Sequence, residues 1–279
     1  MDIQVDGWQY YNHAFIPTTA PHEMPNLAPI NDGSIWLTEG ATPLLARWTT
    51  DWDCGYETNW WYVIKDTPFD VSALKAKRRY EITKGNKNFK VEEINPIDWC
   101  EDIFHVVKLA YETYPESYRP VITHDEYVGA VRKWKFYKVY GAFDVEDKSL
   151  CGFACLKREG VYIDFCMLKA IPARERLGIN AAIVNKILLD HNDFLNNHGY
   201  ICDGARSVVH ETAFQDYLEK YFGFRKAYCK LHIVYSPKFK WIINIAYHLR
   251  KTIRRFDQYP LIRNISALLK MEEINRLSM

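Results

Sequence analysis

The sequence predicts an α/β protein in which a mixed sheet is flanked by helices, behind an aromatic-rich N-terminal subdomain and ahead of a basic helical tail. Three observations predict it. Apolar residues recur with period 2 and then period 3.6 through residues 88–236, giving the order β-α-α-β-β-β-α-β-α-β. Six of the nine tryptophans lie at or before Trp61. Residues 237–279 hold nine Lys/Arg against three Asp/Glu, although the 279-residue chain as a whole carries a net charge of only +1.

Residues 1–87 are taken as the aromatic-rich subdomain. Up to about residue 60 the segment is rich in Pro, Thr, Asp and Asn, and reads as turns and short strands around anchors such as GSIWLT and TNWWYVI. Its aromatics serve either as a small core or as a wall on which an acceptor ring stacks.

Residues 88–236 form the central domain. FKVEEI (89–94) reads as a strand, and two helices follow at about 98–113 and 124–134. Strands are expected near 136–143 and 150–157, joined by the polar turn at Glu146, Asp147 and Lys148, and a third at 161–169. Strict alternation in that third strand puts Val161, Ile163, Phe165 and Met167 on one face and Tyr162, Asp164, Cys166 and Leu168 on the other. Ile179, Ile183 and Ile187 mark a helix over about 177–190. A short strand at 200–202, a helix at about 211–222 ending at Gly223, and a strand at 228–235 complete the series.

In the tail, residues 237–279, Ile242, Ile245, Ala246, Leu249, Ile253 and Phe256 recur at helical spacing among Lys238, Lys240, Arg250, Lys251, Arg254 and Arg255. Such a helix either docks on its own domain or makes peripheral contact with an anionic membrane through 238–256.

With 48% apolar and 25% charged residues the chain has the makings of a packed core, which argues against disorder. Near-neutral charge does not nominate a dedicated nucleic-acid binder. Seven cysteines without a C-x-x-C pair predict reduced thiols in a cytoplasmic protein rather than a disulfide framework or a zinc site. The opening MDIQVDGWQYYN lacks the basic and apolar regions of a secretory leader, and no apolar run approaches the ~20 residues of a membrane span. His191 and His198, near Asp190 and Asp193, read as a polar helix end and loop rather than metal ligands.

Two stretches, VYIDFCMLKAIPARERLGINAAIVNKI (161–187) and FQDYLEKYFGFRKAY (214–228), resemble the GNAT superfamily of N-acyltransferases and together with the element order cover about half the chain. The first is similar to that superfamily's acyl-CoA-binding strand, loop and helix, with consensus Arg/Gln-x-x-Gly-x-Gly/Ala. Gly178 fits the central glycine, Glu175 stands where Arg or Gln is expected, and Asn180 replaces the small residue. The second is similar to the closing Tyr-x-x-x-Gly-Phe signature.

The resemblance implies a GNAT-like fold and an acyl-CoA-dependent N-acyltransferase, with acetyl-CoA as the simplest co-substrate, a primary amine as acceptor and no metal. The amine attacks the thioester directly, through a tetrahedral intermediate. Cofactor binding falls on Arg174, Arg176, Leu177, Gly178, Ile179 and Asn180. Independently, the unpaired amides and partial positive charge at a helix start favour a pyrophosphate there, and the missing Cβ of Gly178 lets the phosphates approach. Asp164 matches an acidic residue that several members use to deprotonate the amine, and a carboxylate of raised pKa suits that task. A tyrosine of the last helix often protonates the departing thiolate. Its consensus position falls on Glu219, with Tyr217 and Tyr221 two residues to either side. His210 reads as a cap-region residue or an acceptor-site base.

Residues 62–94 resemble the Fem-type peptidyltransferases, which have two GNAT-like halves, so the N-terminal subdomain is read as a partial Fem/GNAT-like half. Between Lys75 and Lys87 stand six Lys/Arg and one Glu. Three functions therefore stay open: acyl-CoA-dependent transfer, with an amino sugar or cell-envelope precursor as acceptor; a Fem-like transferase fed by aminoacyl-tRNA; and a non-catalytic GNAT-fold binding protein. A cofactor-sized pocket at the helix start favours the first. A basic channel from Lys75 to the cleft favours the second, and a filled cleft with Asp164 in a buried salt bridge the third.

Overall fold

The structure, a computed structural model, describes residues 3–116, 119–208 and 213–278. In chain order the first elements are β1 (Gln4–Val5), β2 (Trp8–Tyr11), β3 (Ala14–Pro17), α1 (Ala28–Asn31), β4 (Leu45–Thr50) and β5 (Trp60–Lys65). Next come α2 (Ala76–Asn88), β6 (Phe89–Ile94), α3 (Cys100–Glu112), α4 (His124–Val131), β7 (Lys138–Asp144), β8 (Leu150–Glu159) and β9 (Tyr162–Ala170). The remainder are α5 (Pro172–Glu175), α6 (Ile179–Asp190), α7 (Asn192–Asn196), β10 (Tyr200–Ala205), α8 (Ala213–Phe222), β11 (Arg225–Tyr235), α9 (Pro237–His248), α10 (Arg250–Ile253) and α11 (Pro260–Ser278). The expected mixed sheet flanked by helices is present. GSIWLT differs from the strand-and-turn reading: Ser34–Leu37 is a 3-10 helix entered through Gly33 at φ +79°. The basic segment forms its helix from Ala76, and Asp70 accepts from the Ser72 N–H at 2.8 Å and holds 71–73 as a separate turn ahead of it.

The chain divides into two compact units. One takes the chain up to Tyr62, a short passage from Ala205, and everything from Lys226 onward. Its strands run in the order β1-β2-β3-β4-β11, antiparallel except for the β3–β4 pair. The aromatics here build a core: Trp8, Phe15, Ile35 and Ala46 are fully buried, and Trp8 Nε1 donates to the Asn26 carbonyl at 2.7 Å. Fully burying a side chain such as Phe15 stabilises by about 1.5–3 kcal/mol. Cys229, Leu231, Ile233 and Tyr235 alternate along β11 and pack with Ile243 of α9 and Ile274 of α11. The tail helix docks through that Ile243 face, whereas Ile242, Ile245, Leu249 and Phe256 of the expected apolar stripe are exposed.

The other unit takes Val63–Gly204 and Ala213–Arg225. Its strands run β10-β9-β8-β7-β6, antiparallel from β6 to β9 and parallel between β9 and β10. Val106, Val107, Val128 and Val131 of α3 and α4 cover one face, over Val139, Phe153 and Cys155. On α6, Ile179, Ala182, Ile183, Val184 and Ile187 are all fully buried, as expected of a helix apolar nearly all round. Gly223, at φ +69°, follows the last residue of α8.

The alternation expected along β9 breaks at a bulge. Leu156 pairs with Phe165 while Cys155 pairs with Met167, so Cys166 is an extra residue. One inserted residue shifts the period-2 pattern, and Met167 packs in the α3–α4 core with Cys155 instead of sharing a face with Phe165.

Candidate active site

The parting of two strands places the site. β10 pairs with β9 at three positions, Tyr200 with Tyr162, Ile201 with Ile163 and Cys202 with Asp164, and β9 then continues to Ala170 paired with β8 on its other side. The bulge at Cys166 sits just beyond the last shared pair, so the outer backbone edge of the second half of β9 is released from the ladder. Past this point lies a cavity of about 430 Å³. It is lined by Leu168, Lys169 and Ala170 of β9, Ala110, Thr113 and Tyr114 at the end of α3, Pro172 and Glu175 of α5, Asn180 of α6, and Ala213, Phe214 and Tyr217 of α8.

Of the six residues assigned to the cofactor, Asn180 reaches this lining. Its Oδ1 is buried without a hydrogen-bond partner among the described residues. An orphan acceptor of this kind costs about 1–3 kcal/mol unless a donor reaches it. Arg174 forms an ion pair with Asp144 at 2.8 Å, and Ile179 is fully buried in the core. Arg176 is exposed and its carbonyl accepts from Lys84 Nζ at 2.8 Å, while the Leu177 carbonyl accepts from Asn88 Nδ2 at 3.3 Å.

Gly178 caps α6 at φ +88°. A Cβ there would lie 2.9 Å from the Glu81 carbonyl oxygen and 3.0 Å from the Gly85 nitrogen. The glycine is therefore required by the close passage of α2 and by its left-handed conformation, a reason different from the phosphate approach expected from sequence.

Tyr217 lines the cavity, with its ring stacked on Phe214 at 6.0 Å. Burial pushes its hydroxyl up to about 12, against the opposing charge of Arg78. Tyr221 is outside the lining: the Arg78 guanidinium lies over its ring at 3.3 Å, and Arg78 also pairs with Glu81 at 2.5 Å. Asp164 is half-buried at the last β9–β10 pair and likewise outside the lining, its carboxyl raised above the usual range by burial. His210 lies outside the described residues. His191 is buried and its Nδ1 lies 2.7 Å from the Ile187 carbonyl.

Two features escaped the sequence reading. Lys169 brings a cation to the lining, its Nζ donating to the Tyr114 hydroxyl at 2.8 Å. Asp203, on β10 next to the parting, is pushed up to about 7, chiefly by burial, with Asp164 adding to the rise. An aspartate in the short apolar strand YICDGA was the available signal.

A carboxyl that is protonated in the folded chain up to about pH 7 and ionised in the unfolded chain from about pH 4 lowers stability as pH rises between those values. Asp203→Asn removes this penalty. The variant is expected to gain about 2–4 kcal/mol on wild type between pH 4.5 and pH 8 in urea unfolding, and parallel pH profiles would contradict this.

No family model matches the chain, and no curated protein matches it. Among solved structures it is similar to L-PGS from Bacillus licheniformis, with a TM-score of 0.53 and 9% identity over 98% of this chain and 86% of that one. FemX gives 0.47 and 9% over 72% and 74% of the two chains. A GCN5-related N-acetyltransferase-like protein from Streptococcus suis gives 0.36 and 12% over 82% of each. At such identities the likeness is one of fold. The mixed sheet flanked by helices, with β9 and β10 parting at Asp164, is an α/β fold shared with that L-PGS structure.

Proposed function

We propose that this chain is an N-acyltransferase moving an acyl group, acetyl in the simplest case, from acyl-CoA to a primary amine. The observation that carries the reading is the cavity of about 430 Å³ at the start of α6, reached where β9 is released from β10. The donor supplies an activated thioester carbonyl. The first amides of the 12-residue α6 and its dipole favour an anionic group, and the orphaned Asn180 Oδ1 accepts a hydrogen bond from the donor's amide arm. Lys169 adds a positive charge to the lining, and the released N–H groups of β9 can hold a carbonyl oxygen.

Asp164 takes a proton from the acceptor's ammonium, directly or through water, and so frees the amine to attack the thioester carbonyl, a role for which a raised carboxyl pKa suits it. Tyr217, protonated throughout the physiological range, donates to the departing sulfur. The half-buried Asp164 and the open cavity support chemistry over a purely binding role. Tyr114 and Phe214 in the lining suit an acceptor with a ring to stack, such as an amino sugar or a cell-envelope precursor.

A second donor is favoured by a specific observation. Glu175 lines the cavity and Arg174 is held by Asp144, which ill suits a pyrophosphate. Lys75, just ahead of α2, and Lys77, Arg79 and Lys87 along it are exposed, a basic face that suits the phosphates of an aminoacyl-tRNA. The purified chain, given radiolabelled acetyl-CoA or aminoacyl-tRNA with a panel of amines, is expected to transfer label from acetyl-CoA. Transfer from aminoacyl-tRNA alone, falling steeply with salt, would replace the first donor with the second. No transfer from either, with no CoA binding, would overturn both.

A further inference from the structure

We propose that the outward face of α9, with the turn that follows it, docks on an anionic lipid bilayer. The helix has two faces with opposite fates. Phe239, Ile243 and Tyr247 recur on the side toward the core, where Ile243 packs with Leu231, Ile233 and Tyr235. Lys238, Trp241, Ile242, Ile245 and Leu249 recur on the other side, and there Trp241 is 61% exposed, Ile245 55% and Leu249 55%. Phe256, Tyr259 and Leu261 extend the exposed apolar series beyond the helix. Single exposed apolar residues are ordinary, but a run of seven within one short segment marks a contact surface.

The charge around this strip selects its occupant. Residues 237–259 hold six Lys/Arg and a single acid, Asp257. Asp257 accepts from the Ser266 hydroxyl at 2.5 Å, and Glu273 pairs with Arg250 and Arg254 at 3.5 and 3.0 Å. Lys238, Lys240, Lys251 and Arg255 are exposed and have no acidic partner among the described residues. An apolar strip edged by cations matches a bilayer whose acyl chains take the strip and whose anionic headgroups take the charges. A second copy would bring the same positive charge against itself, which opposes self-association through this face. No helix among the described residues is long and apolar enough to cross a membrane, so the contact is a peripheral one.

Co-sedimentation of the full chain with sucrose-loaded vesicles tests this. The protein is expected to pellet with phosphatidylglycerol/phosphatidylcholine vesicles, and roughly tenfold or more weakly with phosphatidylcholine alone or at 0.5 M salt. Ile245→Ser with Leu249→Ser, and separately Lys238, Lys240, Lys251 and Arg255→Gln, should each lower binding about tenfold or more with the melting temperature unchanged, since these side chains are exposed. Brominated lipid should quench the wild type more than Trp241→Phe. Equal or absent binding to both vesicle types would overturn the proposal. So would light scattering that shows a dimer which Ile245→Ser with Leu249→Ser dissociates, because a second copy would then be the occupant.

Discussion

Gly178→Ala lowers the free energy of unfolding by about 3 kcal/mol, measured by urea denaturation. Two effects add. At φ +88° an alanine is held in the left-handed region, which costs about 1–2 kcal/mol. Its Cβ also meets the Glu81 carbonyl and the Gly85 backbone, whose displacement costs about 1–3 kcal/mol more. A change under 1 kcal/mol would show that α2 does not pass α6 as described. Gly85→Ala meets the Gly178 carbonyl from the other side, so the two substitutions share one contact and should not add. Gly178 is consequently a poor probe of ligand binding, because its substitution disturbs α2, and with it Arg78 over Tyr221. Asn180→Asp is the better probe: it lies in the first turn of α6, where a carboxylate suits the helix dipole, yet it sets a negative charge in the cavity lining.

On the proposed mechanism Asp164→Asn is expected to lower kcat for acyl transfer by about 10²–10⁴-fold, the loss that follows when a positioned base is removed. The pH profile separates this from a structural effect. As the proposed base Asp164 would work ionised, and burial raises its pKa, so wild-type kcat/KM should climb as pH rises through that raised value and level off above it. The variant should lose this ascending limb while keeping its KM for the donor, since Asp164 lies outside the cavity lining. An unchanged rate would remove Asp164 from the mechanism and pass the role to Asp203, whose pKa of about 7 suits it equally.

Much of the fold was legible because its signals are local. The isoleucines at 179, 183 and 187 marked α6, Gly223 marked the end of α8, and alternation marked β11 from Tyr228 onward. What the sequence concealed depends on single insertions or distant partners. The bulge at Cys166 leaves no trace in residue type, yet it shifts every later side chain of β9 by one place. Arg174 looked available for phosphate, but Asp144, thirty residues earlier, holds it. Gly178 was recognisable as a special glycine, whereas its neighbour Gly85 became meaningful only with α2 in place. In α9 the apolar pattern was plain from spacing alone, but which apolar side faces the core is decided by the packing of Ile243 against Leu231, Ile233 and Tyr235 of β11 rather than by periodicity.

The most direct test of the proposed donor site is thermal unfolding of the purified chain with and without acetyl-CoA. Binding to the folded state should raise the midpoint, with about 2.7 kcal/mol of stabilisation at roughly 100 times Kd, and Asn180→Asp should abolish the rise without itself lowering the midpoint. No shift at millimolar acetyl-CoA, or an equal shift in Asn180→Asp, would contradict a donor seated at the start of α6.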